Sequence, residues 1–224
     1  MLSIVVPALD EATNLERLLP DLVARCPREE VIVVDGGSAD ATTEVARRFP
    51  SVRLVASPRG RARQMNAGAR VARGDALLFL HADTVLPDGA SGAIARALAD
   101  ASVVGGRFDV RFTSARWPFR VIAALMNRRS RWSGICTGDQ GIFVTRAAFD
   151  ALGGYPDIPL MEDIELTRRL KRLGRLASLD LRVITSSRKW EREGILRTVL
   201  LMWSLRFLYF CGVSPTRLRG WYYR

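Results

Sequence analysis

Ala76-Leu77-Leu78-Phe79-Leu80-His81-Ala82-Asp83-Thr84-Val85-Leu86-Pro87 is the stretch on which the reading of this chain turns. Its first five residues are an unbroken apolar run, the pattern of a strand buried on both faces. Asp83 falls just past the carboxyl end of that strand, ahead of a loop over 84–87 that leads into the next helix. Open α/β sheets bind ligands at that edge. A hard carboxylate oxygen placed there can hold a divalent cation against a diphosphate. His81 is the single histidine of the chain. It reads first as a satisfied structural residue, second as a ligand-facing donor and third as a direct metal ligand.

Outward from this stretch, short apolar runs alternate with amphipathic ones. Strands are expected over 2–6, 31–34, 52–56 and 76–80. Helices are expected over 14–24, 39–49 (introduced by Ser38), 61–72 and 88–99. This alternation predicts an α/β fold, a mostly parallel central sheet with helices on both faces. Beyond residue 100 the pattern is less regular. It gives a long strand over 103–112 with a bulge or close approach at Gly105-Gly106, a helix over 117–128, a strand over 141–144 and a helix over 146–152. A Gly153-Gly154-Tyr155-Pro156 turn follows, then a helix over 162–173 stopped by Gly174, two short strands over 175–179 and 182–185, and a C-terminal helix. No repeat or linker interrupts the chain, so a single domain over 1–224 is the expectation.

With 224 residues, 48% hydrophobic and 25% charged, the composition is that of an ordinary globular domain. The net charge of +11 is uneven: residues 1–106 carry 12 cations and 13 anions, residues 107–224 carry 22 and 10. The basic half could face an acidic substrate, anionic lipid or nucleic acid, or reflect an Arg-rich genome. Cys26, Cys136 and Cys211 are scattered and form no CxxC, which excludes a disulfide framework or zinc site and fits a reducing compartment. Met1-Leu2-Ser3-Ile4 enters a strand directly, so no signal peptide is expected. The apolar run 195–213 is broken by Arg197 and Arg206, too soon for a membrane span. Its apolar residues nevertheless cover most of a helix, which needs cover from the domain, a second subunit or a membrane surface; packing within the protein is the default.

Several clusters flank the predicted strand ends. Val34-Asp35-Gly36-Gly37-Ser38-Ala39-Asp40 ends a strand on a carboxylate with a tight turn behind it; Asp35 either meets a ribose or base or satisfies loop amides. Pro7-Ala8-Leu9-Asp10-Glu11 lies at the same edge. Arg59, Arg61 and Arg63 crowd a helix start against its dipole, a cost that an anionic ligand would relieve or that solvated arginines simply tolerate. Glu162-Asp163 opens a helix, where Asp163 is either a dipole partner or a general base. Arg188-Lys189-Trp190 could hold a phosphate and stack a sugar, or form a solvated basic loop.

In this order, over about residues 2–190, the elements resemble the family 2 glycosyltransferases, inverting nucleotide-sugar enzymes of the GT-A fold. More narrowly, they resemble a bacterial subgroup of radical-SAM/selenodomain-associated transferases. The resemblance implies nucleotide and donor binding by Pro7, Leu9, Glu11, Asp35, Arg61, Gln64, His81 and Ala82, and Mg²⁺ or Mn²⁺ on Asp83. It implies acceptor or diphosphate contacts by Gly138, Asp139, Gln140, Arg188 and Trp190, and a base motif at Glu162-Asp163. It divides the chain into a nucleotide half (1–106), an acceptor-side half (107–190) and an apolar helix with tail (191–224).

The implied partners are a nucleoside-diphosphate sugar and a hydroxyl or phosphate acceptor, phosphorylated or lipid-linked, with no nucleic acid. Residues 195–213 would make a peripheral membrane contact or a homodimer. The implied location is cytoplasmic, free or at the inner membrane face. Three positions depart from the family: Gly36 for the second Asp of the nucleotide loop, His81 for the first Asp of the metal motif, and Ser186-Ser187-Arg188-Lys189-Trp190 for Gln-x-x-Arg-Trp. The last predicts transfer of a single sugar. A sugar nucleotidyltransferase is the alternative enzyme, disfavoured because no Gly-rich loop follows the first strand. A non-catalytic RNA- or membrane-binding protein is the alternative outside enzymes, and a dinucleotide dehydrogenase lacks its Gly-x-Gly-x-x-Gly.

Overall fold

A computed structural model describes residues 1–222. The first half is a β-α alternation: β1 (Leu2–Ala8), α1 (Ala12–Arg25), β2 (Glu30–Asp35), α2 (Thr42–Arg47), β3 (Val52–Ala56), α3 (Arg61–Val71) and β4 (Ala76–Phe79). There follow β5 (Thr84–Val85), α4 (Ala90–Leu98), β6 (Val103–Phe112), α5 (Trp117–Ser133), a 3-10 turn (Gly138–Gln140), β7 (Ile142–Thr145), α6 (Arg146–Ala151) and α7 (Glu162–Leu170). β8 (Arg175–Thr185), α8 (Arg188–Glu193), α9 (Ile195–Phe210) and α10 (Pro215–Tyr222) complete the order.

Among the described residues eight strands form one sheet in the order β3-β2-β1-β4-β7-β6-β8-β5. β1 to β4 are mutually parallel, β6 and β8 run the same way, and β7 and β5 run against them. Each apolar strand divides its residues between two cores, as a two-residue period requires. Ile4, Val6, Val31, Val33, Leu78 and Leu80 face α1, α2, α4 and α5, while Val5, Ile32, Val34, Leu77 and Phe79 face α3, α6 and α7. This is the predicted α/β class with helices on both faces.

Four local expectations are corrected. Ser38 does not introduce α2, which begins at Thr42; the Ser38 hydroxyl donates to Asp35 and accepts from the Asp10 amide. The segment 84–87 is not all loop, because Thr84 and Val85 pair with Thr185 and Ile184 of β8. The two short strands are one, β8, since the ten-residue β6 offers a continuous edge and a register shift opposite Phe108/Asp109 absorbs the excursion at Asp180-Leu181. The helix from Trp117 runs on to Ser133, because the first stop signal is Gly134, left-handed at φ 66°. The bulge expected at Gly105 is present as a register shift between Val103 and Gly105.

The C-terminal helix is covered on one side only. Leu205 of α9 and Leu218 of α10 pack on Met161 and Ile164, and the Tyr209 hydroxyl donates to Glu165 of α7 at 2.8 Å. The opposite face of α9 is exposed, contrary to the default expectation that the domain would cover it.

Candidate active site

Strand direction alone gathers most of the chemistry at one rim. The order reverses between β1 and β4, a topological switch point with a crevice beyond the carboxyl ends. β1, β2, β4 and β8 end at this rim in Ala8, Asp35, Phe79 and Thr185, and antiparallel β7 begins there, directly after the turn Gly138–Gln140. α3, entered from the end of β3, presents Arg61 and Gln64 in its first turn at the same edge.

The first two loops brace each other. Asp10 accepts from the Ala39 amide, the Thr42 hydroxyl accepts from the Glu11 amide, and Asp40 accepts from the Ala12 amide at the start of α1. The buried Asp35 carboxylate takes the amides of Gly37 (3.0 Å) and Ser38 (3.2 Å) as well as the Ser38 hydroxyl. These bonds match the loop-satisfying reading of Asp35, although a carboxylate retains acceptor capacity for a ligand beyond them. Gln64 is buried too, and its amide donates to the carbonyls of Ala8 (2.7 Å) and Val34 (3.0 Å), joining the tips of β1 and β2. Pro7 and Leu9 are half-buried, and Ala82 lies within the main core.

The arginines at the start of α3 find anions within the protein. Arg61 stands 3.7 Å from Glu162, and Arg63 stands 2.9 Å from Asp157. Asp139 and Asp163 also lie within electrostatic reach of Arg61. Burial pushes the Glu162 carboxyl above its ordinary range; Arg61 opposes this and Asp163 adds to it.

His81 and Asp139 meet at 3.3 Å, Nδ1 to Oδ1. Desolvation raises the Asp139 pKa, but the His81 hydrogen bond and the charges of His81, Arg61 and Lys189 outweigh it and hold the carboxyl below its usual range. Gly138 lies against the same imidazole, where a Cβ would collide with the ring. Its amide donates to Asp163 Oδ2 at 2.9 Å, while Asp163 Oδ1 accepts from the Ile164 amide at 2.7 Å. The tip of β4, the 3-10 turn and the start of α7 are thereby joined through His81, Gly138 and Asp163. Gln140 is fully buried and closes this turn as a capping box with Thr137.

Glu11 and Asp83 form a second acidic pair. Burial raises the Glu11 pKa and the Asp83 charge adds to that, against the Asn14 hydrogen bond and the charges of Arg188 and His81. Asp83 is half-buried and accepts from the Thr84 hydroxyl at 3.3 Å. Among the described residues, no three His, Cys, Asp or Glu side chains converge as a metal cage. The residues still fit a hard cation shared with ligand oxygens: two carboxyls compete for charge at one spot, and Mg²⁺-type sites often take only one or two protein carboxylates beside phosphates.

Arg188 donates to Asn14, which donates to Glu11, so β8's exit is tied to β1's. Trp190 is half-buried, its ring packed edge-to-face with Phe112 (5.6 Å) at the margin of the main core. Sequence reasoning missed Tyr222 and underused Lys189. The Lys189 ammonium lies 3.5 Å from the centroid of the Tyr222 ring, and both are within electrostatic reach of Asp139. A tyrosine within the run Trp221-Tyr222-Tyr223, about 80 residues from Asp139, gives no signal in the sequence.

Comparison with known proteins agrees with this architecture. The profile of Glycosyl transferase family 2 matches residues 3–151. A PGL/p-HBAD biosynthesis glycosyltransferase of Mycobacterium bovis is 34% identical over 171 residues, covering 69% of this chain and 63% of the relative. The probable glycosyltransferase YdaM of Bacillus subtilis is 24% identical over 221 residues, covering 85% and 50%. The chain therefore spans less than two thirds of the length of these curated relatives.

Among solved structures, the mannosyltransferase PcManGT of Pyrobaculum calidifontis, in complex with GDP-Man and Mn²⁺, superposes with a TM-score of 0.64 at 25% identity, over 82% of this chain and 56% of that one. TarS of S. aureus superposes with a TM-score of 0.65 at 16% identity, over 83% and 58%, and supports the GT-A fold alone. The fold is GT-A, and the chain belongs to glycosyl transferase family 2.

Proposed function

We propose that this domain transfers one sugar from a nucleoside diphosphate to an acceptor hydroxyl or phosphate, with inversion at the anomeric carbon, and that it belongs to the radical-SAM/selenodomain-associated subgroup. The observation that carries the transfer reading is the linkage of His81 at the tip of β4, through Asp139 and Gly138 of the 3-10 turn, to Asp163 at the head of α7. It puts a donor-side strand end and a candidate base on one short framework. The PcManGT complex with GDP-Man and Mn²⁺, a protein of the same fold, supports a nucleotide-sugar donor and a divalent ion. We read residues 1–224 as one transferase domain.

In this mechanism the nucleoside lies over the tips of β1 and β2, against Pro7, Leu9, Glu11 and Asp35. Asp163, oriented by two backbone amides, accepts the acceptor's proton as its oxygen attacks the anomeric carbon, and the nucleoside diphosphate departs from the opposite face. Asp83, with Glu11 beside it, would hold Mg²⁺ or Mn²⁺, which when bound offsets charge on the leaving diphosphate. Arg188 and Arg61 add positive charge at the same rim. Only stabilisation that grows toward the transition state lowers the barrier, so charge on the departing group is where these cations act.

Removal of a general base typically costs about 10²–10⁴-fold in rate. Asp163→Asn is therefore expected to lose turnover by that order while titrating with nucleoside diphosphate like the parent protein. An Asp163→Asn protein with parental turnover refutes the assignment. Release of pyrophosphate in place of nucleoside diphosphate would move the protein to nucleotidyl transfer.

A further inference from the structure

α5 and α9 expose two apolar stripes that no element among the described residues covers. On α9, Leu196, Leu200, Trp203, Phe207 and Phe210 follow one another at four- and three-residue steps, which puts them on one helix face. Trp203 is 66% exposed and Phe207 68%. On α5, Trp117, Val121, Leu125 and Trp132 share a face, and Trp132 is 91% exposed. The stripes meet: Leu125, Met126, Arg129 and Trp132 of α5 and Trp203 of α9 line one groove of about 500 Å³. A contiguous apolar surface of this kind marks an interaction site, whereas scattered exposed residues would not.

Charge selects the occupant. α5, α9 and α10 together contain eight arginines and no aspartate or glutamate, and of these Arg131 is held by Asp109 and Asp180. Exposed Arg128 borders the groove and exposed Arg197 flanks the α9 stripe. A second copy of this chain would bring Arg128 and Arg197 against the same cations with no acid on α5 or α9 to answer them. An anionic bilayer answers them with lipid phosphates, and its headgroup boundary is where tryptophan is favoured. Among the described residues no helix is long and apolar enough to cross a membrane, so the geometry is that of helices lying in the surface.

We propose that the exposed faces of α5 and α9 dock this protein on an anionic membrane surface, with Trp132, Trp203 and Phe207 inserted below the headgroups and the arginines at phosphate level. The arginine stems can lie along the apolar boundary while their heads stay at the charged layer. Arg129 lines the groove and its charge reaches Asp163, so docking would set the candidate acceptor side against the membrane. That consequence rests on the transferase reading; the docking itself does not.

The test is co-sedimentation of the full chain with phosphatidylglycerol vesicles and with phosphatidylcholine vesicles. Binding to the former is expected, weakening as salt rises, with at least tenfold weaker binding to the latter. The double variant Trp203→Glu/Phe207→Glu, at exposed positions, is expected to reduce binding at least tenfold while melting like the parent. Vesicles of brominated phosphatidylglycerol are expected to quench the tryptophan fluorescence of the unmodified protein, a readout that needs no variant. Absence of both pelleting and quenching overturns the proposal. So does a concentration-dependent dimer in sedimentation velocity that the double variant dissociates while vesicle binding is unchanged.

Discussion

Gly36 stands where the family resemblance leads one to expect an aspartate, and Gln64 supplies the reason. A Cβ on Gly36 would come within 2.9 Å of the Gln64 amide, which is held on the carbonyls of Ala8 and Val34. The loop here is closed from beneath by a glutamine, and a side chain at position 36 would have to displace it. Glu162 allows a pH test at this scale. Its folded pKa is raised, burial being the largest cause, so the folded state holds this proton more tightly than the unfolded chain does. Stability is then lost as pH rises from the ordinary glutamate value of 4.5 through the raised one. Glu162→Gln removes that loss, so its melting temperature is expected to exceed the parent's at neutral pH and to converge with it in acid. A variant that melts below the parent across pH 5 to 8 would show that the contact with Arg61 outweighs the burial of charge.

Among the elements, β6 and α5 are joined by charge inside the protein. Arg107, 1% exposed, pairs with Asp109 and donates to the Asn127 carbonyl, while Arg131 reaches Asp109 from α5 at 2.8 Å. Removing one partner strands the other in a low-dielectric site, at a cost of about 3–5 kcal/mol. Asp109→Ala is expected to lower stability by that order in urea unfolding, and a loss under about 1 kcal/mol would mean that water reaches Arg107. α3 packs so closely on the sheet that a Cβ on Gly68 would run into Val5 and approach Val34 within 2.9 Å. Gly68→Ala is expected to cost about 1–3 kcal/mol by overpacking, despite alanine's better helix propensity. The element pattern of the first half was legible because each helix and strand carries its own period. The joining of residues 175–185 into one strand was not, because the template for it is β6, more than sixty residues earlier.

For the whole molecule, the site exists only because six strands point the same way and β7 returns between them. Ligand at that rim should stabilise the entire fold, by about 2.7 kcal/mol at a hundredfold excess over Kd. A thermal-shift series with uridine, guanosine, cytidine and thymidine diphosphates is expected to raise the melting temperature with at least one base, more so with Mn²⁺. Asp83→Asn is expected to remove the Mn²⁺ increment. An increment unchanged in Asp83→Asn would place the ion elsewhere.

Local pattern was enough for the α/β alternation, the two-faced burial of β1, β2 and β4, and the carboxylates at strand ends, since apolar period and strand polarity are local properties of the chain. Which of these groups share hydrogen bonds and charge depends on the packed fold. Asp163 is tied to Gly138 across 25 residues, Tyr222 comes within reach of Arg61 from the far end of the chain, and Trp190 packs on Phe112 at the margin of the core. The reason is physical: a side chain's partner is set by the packing of elements distant in sequence, and no local period encodes it.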